Sequence, residues 1–144
     1  MAITRTSEAR WEGDLMNGKG RIKLGSGTFE GQYGFKSRFE SGPGTNPEEL
    51  IAAAHSGCYS MALAHALSSA GFVPKSVQTT ASVQLDKVEA GFAITKITLK
   101  TQAQVPNIDA AKFQKVAEEA KKGCPISKAL AAVPIELNAT LSQG

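Results

Sequence analysis

The stretch "NPEELIAAAHSGCYSMALAHALSSAG", residues 46–71, constrains this chain more than any other. Asn46 suits an N-cap, Pro47 the first helical position, and Glu49 the place where a capping box puts a carboxylate. The spacing predicts one helix over about residues 47–70, apolar nearly all round. Such a helix has to be covered on most of its faces, and a second subunit is one source of that cover. Its few polar residues therefore need a reason to be there.

The rest of the chain supplies the covering layers. Before residue 40, short apolar and polar runs broken by Gly13, Gly18, Gly20, Gly25, Gly27, Gly31 and Gly34 read as an antiparallel meander with tight turns. "SVQTTASVQLDKV" and "FAITKITLKTQAQV", joined by a turn near Glu89–Gly91, read as a hairpin with one wet face, since Ile97 and Leu99 alternate with Lys96, Thr98 and Lys100. "PIELNATL" repeats that alternation and closes the sheet. A second helix over about residues 109–122 puts Phe113, Val116, Ala117 and Ala120 on one stripe and stops at Gly123. The aromatics Trp11, Phe35, Phe39 and Tyr59 are expected in the core, with Phe39 and Tyr59 also candidates to line an apolar pocket.

These elements define an α+β fold, and 144 residues suit one domain spanning residues 1–144. The chain is 42% hydrophobic and 20% charged, with no run long enough for a membrane span and no secretory leader in its first residues, so a cytoplasmic location is expected. A net charge of +3, scattered rather than striped, does not argue for nucleic acid.

Two cysteines, Cys58 and Cys124, are too few and too far apart for a zinc framework, and in a reducing compartment make a poor structural disulfide. At about 100° per residue, Glu48, Ile51, His55 and Cys58 share one broad stripe, with Glu49 on the opposite side. A buried thiol is mostly protonated at neutral pH, so chemistry at Cys58 requires a cation. One guanidinium at about 4 Å is worth roughly 1–4 kcal/mol, or about one to three pKa units. Arg38, where a strand is expected to give way to a glycine-rich loop, can supply it, and its fork can hold the Glu48 carboxylate. Cys124 lies between Gly123 and Pro125, where one helix ends and another begins; a helix start favours the thiolate and suits a resolving cysteine.

Plainer readings compete with each of these. A cysteine on an apolar helix packs like a small hydrophobe, Arg38 is a solvated strand residue, and Glu48 is a first-turn acid. His55 and His65 lack helical zinc-site spacing; a Cys–His hydrolase would pair His55 with Cys58 but lacks a glycine elbow and an orienting acid.

Taken together, "RFESGPGTNPEELIAAAHSGCYSMAL" and the later "GCPIS", with "WEGDLMNGKG" and "QLDKVEAGFAITKI", resemble the OsmC/Ohr family of organic hydroperoxide reductases, on its osmotically inducible side. The resemblance covers essentially the whole chain. It implies an intertwined homodimer, with β-sheets around central helices and active sites at the subunit interface. It also implies a metal-free peroxidase with Cys58 as peroxidatic thiol, Cys124 as resolving thiol, and Arg38 with Glu48 activating Cys58 and positioning the peroxide. A Cys58–Cys124 disulfide would be re-reduced by an external dithiol such as dihydrolipoamide, free or on a lipoylated protein, with no bound cofactor, nucleic acid or membrane involved. A redox sensor or thiol-disulfide binding module using the same cysteines is the alternative.

Overall fold

A computed structural model describes residues 1–143 and resolves the α+β chain into two compact units, Met1–Leu50 and Ile51–Gly144.

In the first unit, β1 (Ser7–Glu12), β2 (Lys19–Leu24) and β3 (Glu30–Tyr33) form the expected antiparallel meander, in the order β1-β2-β3. Trp11, Gly20 and Tyr33 face one another across the three strands. The Trp11 and Tyr33 rings approach to 5.5 Å over Gly20, where a Cβ would come within 2.6 Å of both. Trp11 is thus half-buried on this sheet rather than part of a central core, and its indole N–H donates to the Gly13 carbonyl at 2.9 Å. The chain then turns into a short helix, α1 (Phe35–Phe39), which carries Arg38. A strand was expected to run into this point. Instead the Ser37 hydroxyl accepts from the Gly34 N–H at 2.9 Å and donates to the Thr45 carbonyl at 2.7 Å, closing the turn.

Helix α2 (Pro47–Ser69) begins in this unit and continues into the second. Its start is capped as the sequence predicts: Asn46 Oδ1 accepts from the Glu49 N–H at 2.7 Å. The Glu49 carboxylate, however, accepts from the Thr45 hydroxyl at 2.8 Å.

The second unit holds a three-stranded sheet in the order β4-β5-β6, with β4 (Ser76–Val88), β5 (Gly91–Gln104) and β6 (Ile135–Ser142). β4 and β5 form the long hairpin, with a register shift at Gln84/Leu85, while β6 runs parallel to β5. A parallel neighbour needs a crossover, and α3 (Ala110–Gly123) and α4 (Pro125–Ala129) provide it. On β5 the alternating residues Ile97, Leu99, Thr101 and Ala103 are buried. Tyr59, Leu63 and Leu67 of α2, with Phe113, Val116, Ala117 and Ala120 of α3, join Leu99 and Ala103 in one core cluster. Burying each such Leu or Phe stabilises the fold by roughly 1.5–3 kcal/mol.

Polar residues on this buried face find each other. Ser60 on α2 donates to Thr79 on β4 at 2.8 Å, Thr79 lies 2.9 Å from Thr101 on β5, and Thr101 donates to the Gln78 carbonyl. This chain of hydroxyls fixes the rotation of α2 on the sheet, because any turn of the helix would strand buried polar groups. The opposite face of α2 stays open, with Met61 76% exposed. No helix among the described residues is long and apolar enough to cross a membrane.

Candidate functional site

Pro125 disfavours helical backbone at the residue before it, and so breaks the chain at Cys124. Cys124 closes α3 through its N–H to the Ala120 carbonyl at 2.9 Å, and as the residue before Pro125 it also opens α4. The turn presents its sulfur to α2, where Sγ of Cys124 and Sγ of Cys58 lie 3.0 Å apart. Both thiols are free, Cys58 half-buried and Cys124 fully buried. A disulfide needs the sulfurs to close to about 2.05 Å, a shift of about 1 Å.

The two sulfurs differ in charge preference. Burial, then the hydrogen bond with Cys124, push the Cys58 thiol up from its ordinary value; the Ile126 N–H opposes this. Burial also works against a Cys124 thiolate, but the hydrogen bond with Cys58, the Ser127 N–H and hydroxyl, and the Ile126 N–H outweigh it and hold Cys124 below its ordinary value. The side chain of Cys124 makes no fully formed capping hydrogen bond. The nearby N–H groups nonetheless favour its thiolate, as the sequence position suggested.

Arg38 and Glu48 form their own cluster in the first unit. Nε of Arg38 lies 3.0 Å from Oε1 of Glu48, and Nη2 lies 2.9 Å from Oε2, a two-pronged ion pair. The Arg38 side chain is 36% exposed and that of Glu48 11%. Asn46 braces the pair by donating from Nδ2 to the Ser37 carbonyl at 3.0 Å, one residue before Arg38. The guanidinium also sits over the Phe39 ring at 5.3 Å, and Phe39 packs against Phe35 with ring centroids 5.0 Å apart. A cation held this way has a fixed aim.

The structure thus gathers the candidate residues into two pairs, the thiols in one unit and the ion pair in the other. Phe39 is half-buried, as a pocket wall can be. Tyr59 is a fully buried core residue whose hydroxyl donates to the Ala117 carbonyl at 3.0 Å. His55 is fully buried as well, and its Nε2 lies 2.7 Å from the Ser127 hydroxyl rather than paired with Cys58 as a hydrolase base would be. Ser127 was not singled out in the sequence. The one available signal was its place in "CPIS", three residues after Cys124 at a helix start. No group of three or more His, Cys, Asp or Glu side chains that could hold a metal ion occurs among the described residues.

Two free thiols brought into contact where a core helix meets a helix junction, in an α+β chain with a helix-capped arginine–glutamate pair, define a dithiol protein. The chain belongs to the OsmC-like protein family, whose model matches residues 40–138. It is 55% identical to Peroxiredoxin OsmC of Escherichia coli K12 over 92% of this chain and 93% of that protein. It is also 34% identical to the Organic hydroperoxide resistance protein of Xanthomonas axonopodis pv. citri, over 61% of each chain. Among solved structures, OhrB of Bacillus subtilis superposes with a TM-score of 0.71 at 26% identity, covering 94% of this chain and 97% of that one.

Proposed function

We propose that this chain is a cysteine-based peroxidase that reduces organic hydroperoxides to alcohols, working as a single OsmC-like domain in a homodimer. The observation that carries the reading is the contact between Cys58 and Cys124, two free thiols 3.0 Å apart. Its chemistry agrees with the activity in the name of the E. coli relative, which matches most of the chain.

Cys58 is the sulfur that a peroxide can reach, since Cys124 is fully buried. Its thiolate attacks the distal peroxide oxygen; an S–O bond forms, the O–O bond breaks, and the alkoxide takes a proton to leave as an alcohol, giving a sulfenic acid. Cys124 then attacks the sulfenic sulfur, forming the S–S bond and expelling hydroxide, which leaves as water. An external dithiol, such as dihydrolipoamide or a lipoylated protein, reopens the disulfide by exchange through a mixed disulfide.

Cys58 starts this cycle against its own surroundings, which favour the neutral thiol. The missing charge is the role assigned to Arg38: held by Glu48, it stabilises the Cys58 thiolate and positions the peroxide at the subunit interface. The open face of α2, with Met61 exposed, supports a partner chain there. Phe39 offers the peroxide an apolar wall, and each buried methylene adds about 0.8 kcal/mol in favour of organic peroxides over hydrogen peroxide. No nucleic acid, membrane or bound cofactor enters the cycle.

The test is steady-state consumption of tert-butyl hydroperoxide with dihydrolipoamide as reductant. Many turnovers by the wild type and none by Cys58→Ser support the peroxidase. A single oxidation per chain without turnover would make the protein a redox sensor instead.

A further inference from the structure

Positive charge that is scattered along the sequence gathers at one place in the second unit. Lys121 and Lys122, in the last turn of α3, and Lys128, on α4, line an open groove of about 400 Å³ together with Ser127 and the half-buried side chains of Val133 and Ile135. Among the described residues no acidic side chain lines it. Lys121 is already committed: its Nζ lies 3.0 Å from Oε1 of Glu118 and donates to the Ile135 carbonyl at 3.3 Å, tying the end of α3 to the start of β6. Lys122 and Lys128 are exposed and have no such partner among the described residues. Glu136, which follows Ile135, pairs with Lys96 at 3.7 Å instead. Two ammonium groups are thus held beside apolar surface with no described carboxylate to neutralise them.

The groove lies against the thiol pair. Ser127 is three residues along α4 from Cys124, and its hydroxyl lies 2.7 Å from Nε2 of His55, which is one turn before Cys58 on α2. The lysines therefore border the place where the two cysteine-bearing elements meet. A cationic surface of this kind attracts acidic partners and is indifferent to neutral ones. A free, uncharged dithiol has no use for it. A dithiol carried on an acidic polypeptide does, because docking the carrier raises the effective concentration of the dithiol at the disulfide.

We infer that this groove docks the acidic polypeptide that carries the reductant dithiol: Lys122 and Lys128 hold carboxylates of the carrier, Val133 and Ile135 take its apolar arm, and the dithiol is delivered to Cys58. This rests on the disulfide reduction proposed above. One carrier sulfur, as thiolate, attacks Sγ of Cys58, the half-buried member of the pair. The new S–S bond forms as the Cys58–Cys124 bond breaks, and the electron pair stays on Cys124. The second carrier sulfur then attacks the first, closing the carrier disulfide and freeing Cys58. Over both steps the carrier loses two hydrogens, and Cys58 and Cys124 gain one each.

The experiment uses the full chain, oxidised by tert-butyl hydroperoxide, with synthetic peptides that carry a dihydrolipoyl-lysine flanked by glutamates, glutamines or lysines. Each kcat/KM is divided by that for free dihydrolipoamide. The wild type is expected to prefer the glutamate peptide to the lysine peptide by about tenfold, mostly in KM, and to lose the preference as salt screens the charges. Lys122→Glu with Lys128→Glu should reverse the order, and Lys122→Gln with Lys128→Gln should level it. Equal values for the peptides in the wild type, or an unchanged order in the glutamate variant, would overturn the inference.

Fluorescence anisotropy of a labelled glutamate peptide without the dithiol reads the docking alone. A chain that forms or reduces no disulfide therefore fails the proposed cycle while the groove is still decided: binding that the glutamate variant loses supports it, and no binding overturns it. Tighter binding of a single-stranded oligonucleotide of the same charge would assign the groove to another polyanion and overturn it as well.

Discussion

The two thiols and the Arg38–Glu48 pair are held by opposite means. Cys58 and Cys124 meet because α2 and the α3–α4 junction pack on one apolar core, with Tyr59, Leu63 and Phe113 around them. Arg38 and Glu48 meet because a few polar bonds at Ser37, Thr45 and Asn46 tie α1 to the start of α2. The sulfur contact should therefore yield to core damage, and the ion pair to the loss of single polar groups.

The largest expected effect sharpens that contrast. Leu63→Ala removes a fully buried side chain beneath the thiols and should cost about 2–5 kcal/mol in chemical denaturation. Arg38→Ala should cost less stability yet, on the proposed reading in which Arg38 is the counter-charge of the Cys58 thiolate, slow oxidation of Cys58 by about tenfold or more. The pH dependence of Cys58 alkylation checks this; an unchanged profile would take Arg38 out of the mechanism.

Next in size is the comparison of two neighbouring acids. Glu48→Gln breaks the two-pronged hold on Arg38 and should lose more peroxidase activity than Glu49→Gln. The latter only weakens a bond from Thr45 at the helix start, worth about 0.5–1.5 kcal/mol. The reverse ranking in initial rates would break the comparison.

A smaller effect appears with pH. Because burial lowers the folded-state value of His55 from its ordinary 6.5, the unfolded chain binds more protons between the two values. Stability should fall as pH drops below 6.5 through that window, and level off above it. His55→Gln, which cannot titrate, should flatten this part of the decline in thermal melts. An unaltered slope would contradict the burial argument.

The smallest is at the start of α3, the end of that helix away from Cys124. Asp109 accepts from the Lys112 N–H at 2.8 Å as the N-cap of α3, so Asp109→Ala should cost about 1 kcal/mol in thermal unfolding and leave activity intact.

Periodicity made much of this legible. The start and extent of α2, the buried stripe of α3 and the β4–β5 hairpin all follow from local spacing and capping residues. Alternation along "PIELNATL" announces a strand but carries no sign of direction, so the parallel pairing of β6 with β5 emerges only in three dimensions. Helix α1 was hidden because contacts to Thr45, eight residues away, decide it. The site follows the same rule. Arg38, Glu48 and both cysteines stand in recognisable contexts, and Arg38 and Glu48 are ten residues apart. Cys58 and Cys124 are separated by 66 residues and His55 and Ser127 by 72, so neither contact is written in any local pattern.

The central claim is that Cys58 and Cys124 are partners in one oxidation. The most direct measurement is a free-thiol count and intact mass on denatured protein, before and after one equivalent of organic hydroperoxide, for wild type and Cys124→Ser. The account predicts that wild type loses both thiols and two hydrogens without gaining oxygen, while the variant gains one oxygen at Cys58. Persistence of both thiols with no change in mass would contradict it and leave Cys58 as a packing residue.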